Sequence, residues 1–163
     1  MDSDGQVIRA VPRSVMRQHR LPHRAVYVLV FDSHGRLLIH QRTLTKDVYP
    51  GYWDVCVGGV PQAGESFDEA ALRETAEEIG VAVAPTPLFH LRYQDEQTDV
   101  FGAVYRLHHD GPFHFQVEEI VQGEFVPVDH LPRLIQERPF CPDGLFVWRE
   151  YLRRACDTPS ESG

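Results

Sequence analysis

Apolar and polar positions along this chain change period several times, and each change marks an element. Ala25 to Phe31 (AVYVLVF) is a continuous β-rich run, Asp32-Ser33-His34-Gly35 is turn chemistry, and Arg36 to Gln41 (RLLIHQ) is a return strand. The pattern predicts a hairpin. Thr43 to Tyr52 is a polar loop marked by Pro50 and Gly51, after which Trp53 to Val57 brings the chain back as a strand into Gly58 and Gly59. Between Phe67 and Ile79 the period becomes helical, with Ala71, Leu72, Thr75, Ala76 and Ile79 on one face. Val81 to Val83 and Leu88 to Tyr93 read as strands interrupted by Pro85 and Pro87, and Val100 to Leu107 as a strand with a bulge at Gly102. Phe113, Phe115 and Val117 alternate, and a further strand is expected over Gly123 to Val128. Asp129 is placed to cap a short helix over His130 to Gln136. Pro142 to Ala155 repeats Leu145, Trp148, Tyr151, Leu152 and Ala155 at helical spacing, the side expected to be buried. Residues 1–20 read as an arm with a short strand at Gln6 to Val11 and a basic helical stretch at Pro12 to Gln18, residues 21–156 as one domain, and residues 157–163 as a polar, disordered tail. Periodicity alone gives a mixed αβ domain.

The stretch from Gly59 to Val81, GVPQAGESFDEAALRETAEEIGV, carries the chemistry. Ser66 followed by Glu69 forms a capping-box signature, and Gly80 supplies a residue able to turn left-handed at the helix end. Glu74, Glu77 and Glu78 stand at i, i+3 and i+4 and share one narrow face, where their charges repel. An all-oxygen set of this kind suits a hard cation such as Mg²⁺ or Mn²⁺. Arg73 lies four residues after Glu69 and four before Glu77, a spacing that lets it hold neighbouring carboxylates in fixed rotamers.

Composition narrows the setting. The chain has 163 residues and a formal charge of -8, which argues against nucleic acid or a membrane surface as partner. Its three cysteines, Cys56, Cys141 and Cys156, are widely spaced with no CxxC, so neither a disulfide framework nor a zinc site is indicated and a reducing cytoplasm is the expected location. The amino terminus has no apolar signal core, and no run of about 18 apolar residues occurs.

The Gly59 to Val81 stretch resembles the Nudix box, G-x5-E-x7-R-E-U-x-E-E-x-G-U with U apolar. It matches at Gly59, Glu65, Arg73, Glu74, Glu77, Glu78 and Gly80, and at the last apolar position. One apolar position departs, being Thr75, whose methyl can still pack. The resemblance to Nudix hydrolases extends more loosely from about Leu21 to Ala155. It implies an α/β fold, an α/β/α sandwich with a mixed sheet. It further implies Glu74, Glu77 and Glu78 as ligands of Mg²⁺ or Mn²⁺, the Gly59 carbonyl as another, and Glu65 as a support acting through Arg73 or water. Any of the three ligands, or a later glutamate such as Glu118 or Glu119, is a candidate for the base.

His23-Arg24-Ala25, Thr45 to Asp54 and Pro61 to Ser66 resemble the Nudix branch that also contains isopentenyl diphosphate isomerases. Their cysteine aligns with Gly58 and a metal-binding histidine with Val60, so both are missing, and Cys56 reads as a buried strand thiol. The implied activity is therefore hydrolysis of the diphosphate linkage of a nucleoside diphosphate, free or joined to another group. An isomerase acting through Cys56 and a binding domain without turnover are the alternatives. Arg42, Lys46 and Arg92 are candidate phosphate contacts; the sequence points to no substrate-reading residue. His108-His109 reads as a solvated turn, and Trp53 and Tyr52 as core aromatics.

Overall fold

The computed structural model describes residues 22–46, 48–96 and 98–157. The expected arm and most of the expected tail lie outside them. Eleven elements follow in order: β1 (His23–Phe31), β2 (Leu37–Arg42), β3 (Trp53–Asp54), β4 (Val57–Gly59), α1 (Phe67–Ile79), β5 (Thr86–Gln94), β6 (Asp99–His108), β7 (Ile120–Val126), a 3-10 turn (Val128–His130), α2 (Leu131–Glu137) and α3 (Pro142–Asp157).

The strands form one seven-stranded sheet whose main path runs β3-β2-β1-β6-β5, with β4 added on β1 and β7 on β2. It is mixed, because β1 lies parallel to β6 while β1–β4, β2–β7 and β5–β6 are antiparallel. Burial on both faces explains the unbroken apolar run in β1. Val26, Val28 and Val30 point to one face and pack with Ala70, Ala71 and Ile79 of α1. Tyr27, Leu29 and Phe31 point to the other, against Leu131 of α2 and Val147 and Trp148 of α3. The result is three layers, helix on sheet on helix.

Several local expectations are corrected. The hairpin is joined at Phe31 and Leu37, where Asp32 accepts the amides of His34 and Arg36 at 2.9 and 2.8 Å, but β2 then continues along β7 and β1 along β4 and β6. Trp53 to Val57 is not one strand. Its first part pairs with β2, its second with β1, and the Asp54 side chain accepts the Cys56 amide at 3.2 Å in the crossing between them. Val81 to Val83 forms no strand, and β5 starts at Thr86 and runs through Pro87, which an edge strand tolerates because its missing amide breaks no interior ladder. Gly102 makes no bulge; it pairs in regular register with Leu91 and Ala25. A β-carbon there would sit 2.8 Å from the Tyr27 ring. Phe113 to Val117 is a loop, and the strand expected at Gly123 begins earlier, at Ile120. Asp129 falls inside the 3-10 turn, and α2 starts after His130 with no side-chain cap. On α3 the buried residues are Gly144, Val147 and Trp148, with Leu145 and Tyr151 packed beside them, whereas Leu152 and Ala155 are exposed.

Gly58 shows how tightly β4 is drawn onto β1. A β-carbon on Gly58 would overlap the carbonyl oxygen of Val26, a backbone atom with no freedom to swing aside. Gly58→Ala is therefore expected to cost about 2–3 kcal/mol of stability. Gly102→Ala meets side chains, the Tyr27 ring and the end of Leu91, and not backbone, and should cost less, an ordering that urea denaturation of the two variants checks.

Candidate active site

The loop and helix from Gly59 to Gly80 are fixed at both ends. Ser66 Oγ accepts the Glu69 amide at 3.1 Å while Glu69 Oε1 accepts the Ser66 amide at 2.9 Å, the full capping box. Glu69 is thereby turned back to the cap and not forward to Arg73, as the four-residue spacing had suggested. At the other end Gly80 adopts φ 74° and its amide reaches the Ala76 and Thr75 carbonyls. Thr75, the half-polar departure in the box, is fully buried and donates its hydroxyl to the Ala71 carbonyl at 2.7 Å, which satisfies it locally.

Arg73 is the centre of the acidic cluster. Its Nε and Nη2 fork onto the two Glu65 oxygens at 2.8 and 2.9 Å, and its Nη1 reaches Glu74 and Glu77 at 3.3 and 3.2 Å. The fork holds the Glu65 carboxyl below the usual carboxylate range. The buried side of α1 is Ala70, Ala71, Glu74, Thr75, Glu78 and Ile79; Leu72, expected there, is 40% exposed. Two of the three box glutamates are thus turned towards the sheet.

Glu74 is 8% and Glu78 7% exposed, and the two carboxyls are neighbours on the cleft lining. Burial first, and then Glu74 beside it, push the Glu78 carboxyl well above its usual range. Glu77 stands outward on Arg73. Gly59 lies beneath Glu74, where a β-carbon would collide with the carboxylate. Among the described residues, no three His, Cys, Asp or Glu side chains converge on one point. What the site offers is a pair of neighbouring, half-desolvated carboxylates and a side-chain-free backbone beneath them, an all-oxygen donor set that fits a hard divalent ion.

These groups line one end of a cleft of about 410 Å³. The loop after β6 delivers a fourth carboxylate there. His114 and Gln116 donate their amides to the Ile79 and Glu78 carbonyls at 3.0 and 2.9 Å, satisfying the helix end and placing Glu119 on the cleft wall. Glu119 pairs with Lys46, and its charge also bears on Glu78. Its neighbour Glu118 is exposed.

The NUDIX domain family matches residues 21–143. The chain belongs to this family. It is 35% identical over 153 residues to the protein named Uncharacterized Nudix hydrolase PA4841 of Pseudomonas aeruginosa, covering 93% of this chain and 90% of that one. The crystal structure of DR0079 from Deinococcus radiodurans superposes with a TM-score of 0.66 at 33% identity, over 81% of this chain and 82% of that one. The NUDIX domain of Shewanella oneidensis NrtR, solved with ADP ribose, shares the fold at a TM-score of 0.63 and 21% identity, covering 82% and 88%. The protein is thus a Nudix hydrolase with the mixed sheet and flanking helices of its structural neighbours.

Around this Nudix cluster the remaining expected residues separate. Arg42 and Lys46 line the cleft, Arg42 donating to the Val48 carbonyl at 2.8 Å. Arg92 is held outside it by Asp99 at 2.9 Å. His109 accepts the Gly111 amide on its ring nitrogen and leans on Phe113, a turn contact. Trp53 is buried under the Arg138 guanidinium at 4.4 Å, whereas Tyr52 is half-buried and packs on Tyr49. Cys56 is buried yet reaches the cleft lining, and burial pushes its thiol well up. The side chain of Cys156 lies outside the described residues.

At the far end of the cleft the structure brings together residues the sequence did not single out. Asp54 of β3 and Asp143 of α3 line it side by side, and the Tyr27 hydroxyl donates to Asp143 at 3.0 Å. Burial and the Asp143 charge push Asp54 up to about 7, and burial raises Asp143 as well. A carboxyl whose folded pKa is raised takes up a proton on folding, so its contribution falls as pH climbs from about 4 to about 7. Asp54→Asn should therefore melt higher than the wild type at pH 8, the gap closing towards pH 4, which thermal melts across that range check. The only sequence signals were an Asp in a strand and an Asp in a helix's first turn, both of which have ordinary structural uses.

Proposed function

We propose that the cleft hydrolyses a diphosphate linkage in a nucleoside diphosphate, free or joined to another moiety, with Mg²⁺ or Mn²⁺ held by Glu74, Glu77, Glu78 and the Gly59 carbonyl. The observation carrying this reading is the buried Glu74–Glu78 pair lining one cleft together with Glu119, Lys46 and Arg42. When bound, a divalent ion neutralises phosphate oxygens and acidifies a water. The rest falls to the chain. Lys46 and Arg42 orient the diphosphate by charge and exclude wrong registers. Glu119 Oε takes the proton of the attacking water, favoured over Glu118 because only Glu119 lies on the cleft. Arg73 and Glu65 keep Glu74 and Glu77 in place. The crystal of the NrtR Nudix domain with ADP ribose supports a nucleoside diphosphate joined to a sugar as one such substrate.

Phosphorus NMR of products, with either metal and a panel of nucleoside diphosphates, ADP-ribose, dinucleoside polyphosphates, coenzyme A and isopentenyl diphosphate, tests the reading. Absence of cleavage across the panel would sink it. Glu119→Gln should lower kcat by about 10²-fold or more.

Because Cys56 lines the cleft, an isoprenoid diphosphate isomerase is the second reading. Cys56→Ser decides between them: a hydrolase keeps its turnover, whereas an isomerase loses it. Among the described residues no helix is long and apolar enough to cross a membrane. The free thiols of Cys56 and Cys141 and the charge of -8 support a reducing cytoplasm and a small anionic substrate in place of nucleic acid.

A further inference from the structure

The cleft continues beyond the glutamates to Asp54 and Asp143, and its lining there answers a question the catalytic end leaves open, namely what the substrate carries besides phosphate. His40 on β2 stands directly opposite Asp54 on β3, so both side chains share one face. It is 4% exposed and lines the cleft, and its Nδ1 has no hydrogen-bond partner among the described residues. A buried imidazole nitrogen without a partner is costly and is a site for a ligand atom.

The donors at this end are already committed. Tyr27 Oη donates to Asp143, the Cys56 amide to Asp54, and Arg42, whose charge bears on both carboxyls, donates Nε and Nη2 to the Val48 carbonyl. Once Asp54, pushed up to about 7, and Asp143 have lost their protons, what faces the cleft is rich in acceptors, and a ligand seated here has to bring N–H groups. Tyr49 forms the adjoining wall. Its backbone is left-handed, φ 51°, a conformation uncommon for a bulky residue, and it holds the ring at the cleft against Tyr52 at 5.2 Å. A flat ring suits that wall, and about 410 Å³ is room for a nucleotide extending from one end to the other.

We propose that Asp54, Asp143 and His40, with Tyr49 as the stacking wall, form the subsite for an amino-bearing nucleobase of the substrate, adenine or cytosine in preference to uracil. The preference follows from donors and acceptors. An amino group offers its N–H bonds to the carboxylates, whereas uracil sets two carbonyl oxygens around a single N–H and turns lone pairs towards lone pairs. The inference rests on the hydrolase reading for its orientation, phosphates at the glutamate end, but its test does not depend on turnover.

The experiment is a metal-free NMR titration of the full chain at about pH 8, above the Asp54 value of about 7, with adenosine, cytidine and uridine, following the His40 and Tyr49 side-chain signals. Adenosine or cytidine is expected to shift both and to bind at least about tenfold tighter than uridine. Asp143→Asn should weaken that binding by about tenfold or more, and Tyr49→Leu by several-fold, with unchanged chemical shifts elsewhere showing that each variant folds. Glu78→Gln should bind as the wild type does. Uridine binding as tightly as cytidine, Asp143→Asn binding within twofold of the wild type, or no shift of His40 with any nucleoside overturns the subsite. Failure of the hydrolase reading is a separate result: nucleoside binding that requires Asp143 in a protein that cleaves nothing keeps the subsite and removes the chemistry.

Discussion

Glu78→Gln abolishes metal-dependent cleavage, with an expected loss on the order of 10³-fold in kcat, while the protein remains folded. The substitution keeps the size and shape of the side chain and removes the one property the site needs from it, an anionic oxygen beside Glu74. Glu78 is buried, with the Glu74 carboxyl beside it. A glutamine fills the same space and can donate to Glu74, so the packing survives. Removing one of two neighbouring buried carboxylates also relieves like-charge repulsion, and the thermal midpoint of the variant should be no lower than that of the wild type. Activity and stability thus move apart, which is the signature of a group kept for chemistry. Phosphorus NMR of the products and a thermal melt of the same preparation read both quantities. A variant that still turns over within tenfold of the wild type would mean that Glu78 supports the site without contributing to the reaction.

How far the sequence reveals such groups depends on whether a residue's partner is near in the chain. The Nudix helix was legible because the contacts that start it, stop it and gather its acids are local: Ser66 to Glu69, Arg73 to Glu74 and Glu77, and Gly80 back to Ala76. The buried face of that helix was read half-correctly, since periodicity located Ala71, Thr75 and Ile79 but placed exposed Leu72 where Glu74 and Glu78 lie. Hydrophobicity cannot announce a carboxylate that is turned inward. The strands failed where tertiary pairing overrode pattern. Trp53 to Val57 has a strand's composition throughout, yet the chain changes partners between Asp54 and Val57, and Pro87 was read as a breaker although an edge position removes the reason. The distal end of the cleft was invisible for a stronger reason. His40, Asp54 and Asp143 come from β2, β3 and α3, about a hundred residues separate the first from the last, and no spacing rule relates them. Glu119 lies between these cases: two adjacent late glutamates were evident in the sequence, and only the hydrogen bonds of His114 and Gln116 to the helix end decide which one meets the cleft.

Arg73→Ala is expected to combine a structural loss with a catalytic one. Glu65 is mostly buried and receives both prongs of the Arg73 fork, so truncating the arginine leaves a carboxylate with a single donor, the Gln62 amide at 2.9 Å. Breaking a buried, forked pair costs several kcal/mol; with Arg73 still 21% exposed at its side chain, about 2–3 kcal/mol is the reasonable figure. For a domain of this size that is a fall of roughly 5–10 °C in the thermal midpoint. Glu74 and Glu77 lose the same guanidinium, and activity should drop by about 10–100-fold through their disorder, as when a group orienting metal ligands is removed. Arg73→Lys retains the charge and loses the fork, so it should recover only part of either quantity. The double variant Arg73→Ala, Glu65→Gln separates the two contributions. With Glu65 no longer a carboxylate stripped of its fork, its stability should recover in part, the remainder being the buried Glu74 that still lacks the guanidinium, while its activity stays low because Glu74 and Glu77 remain unheld. If stability did not recover, the cost of Arg73→Ala would lie in lost packing of the arginine stem, and the ion pair would be a bystander.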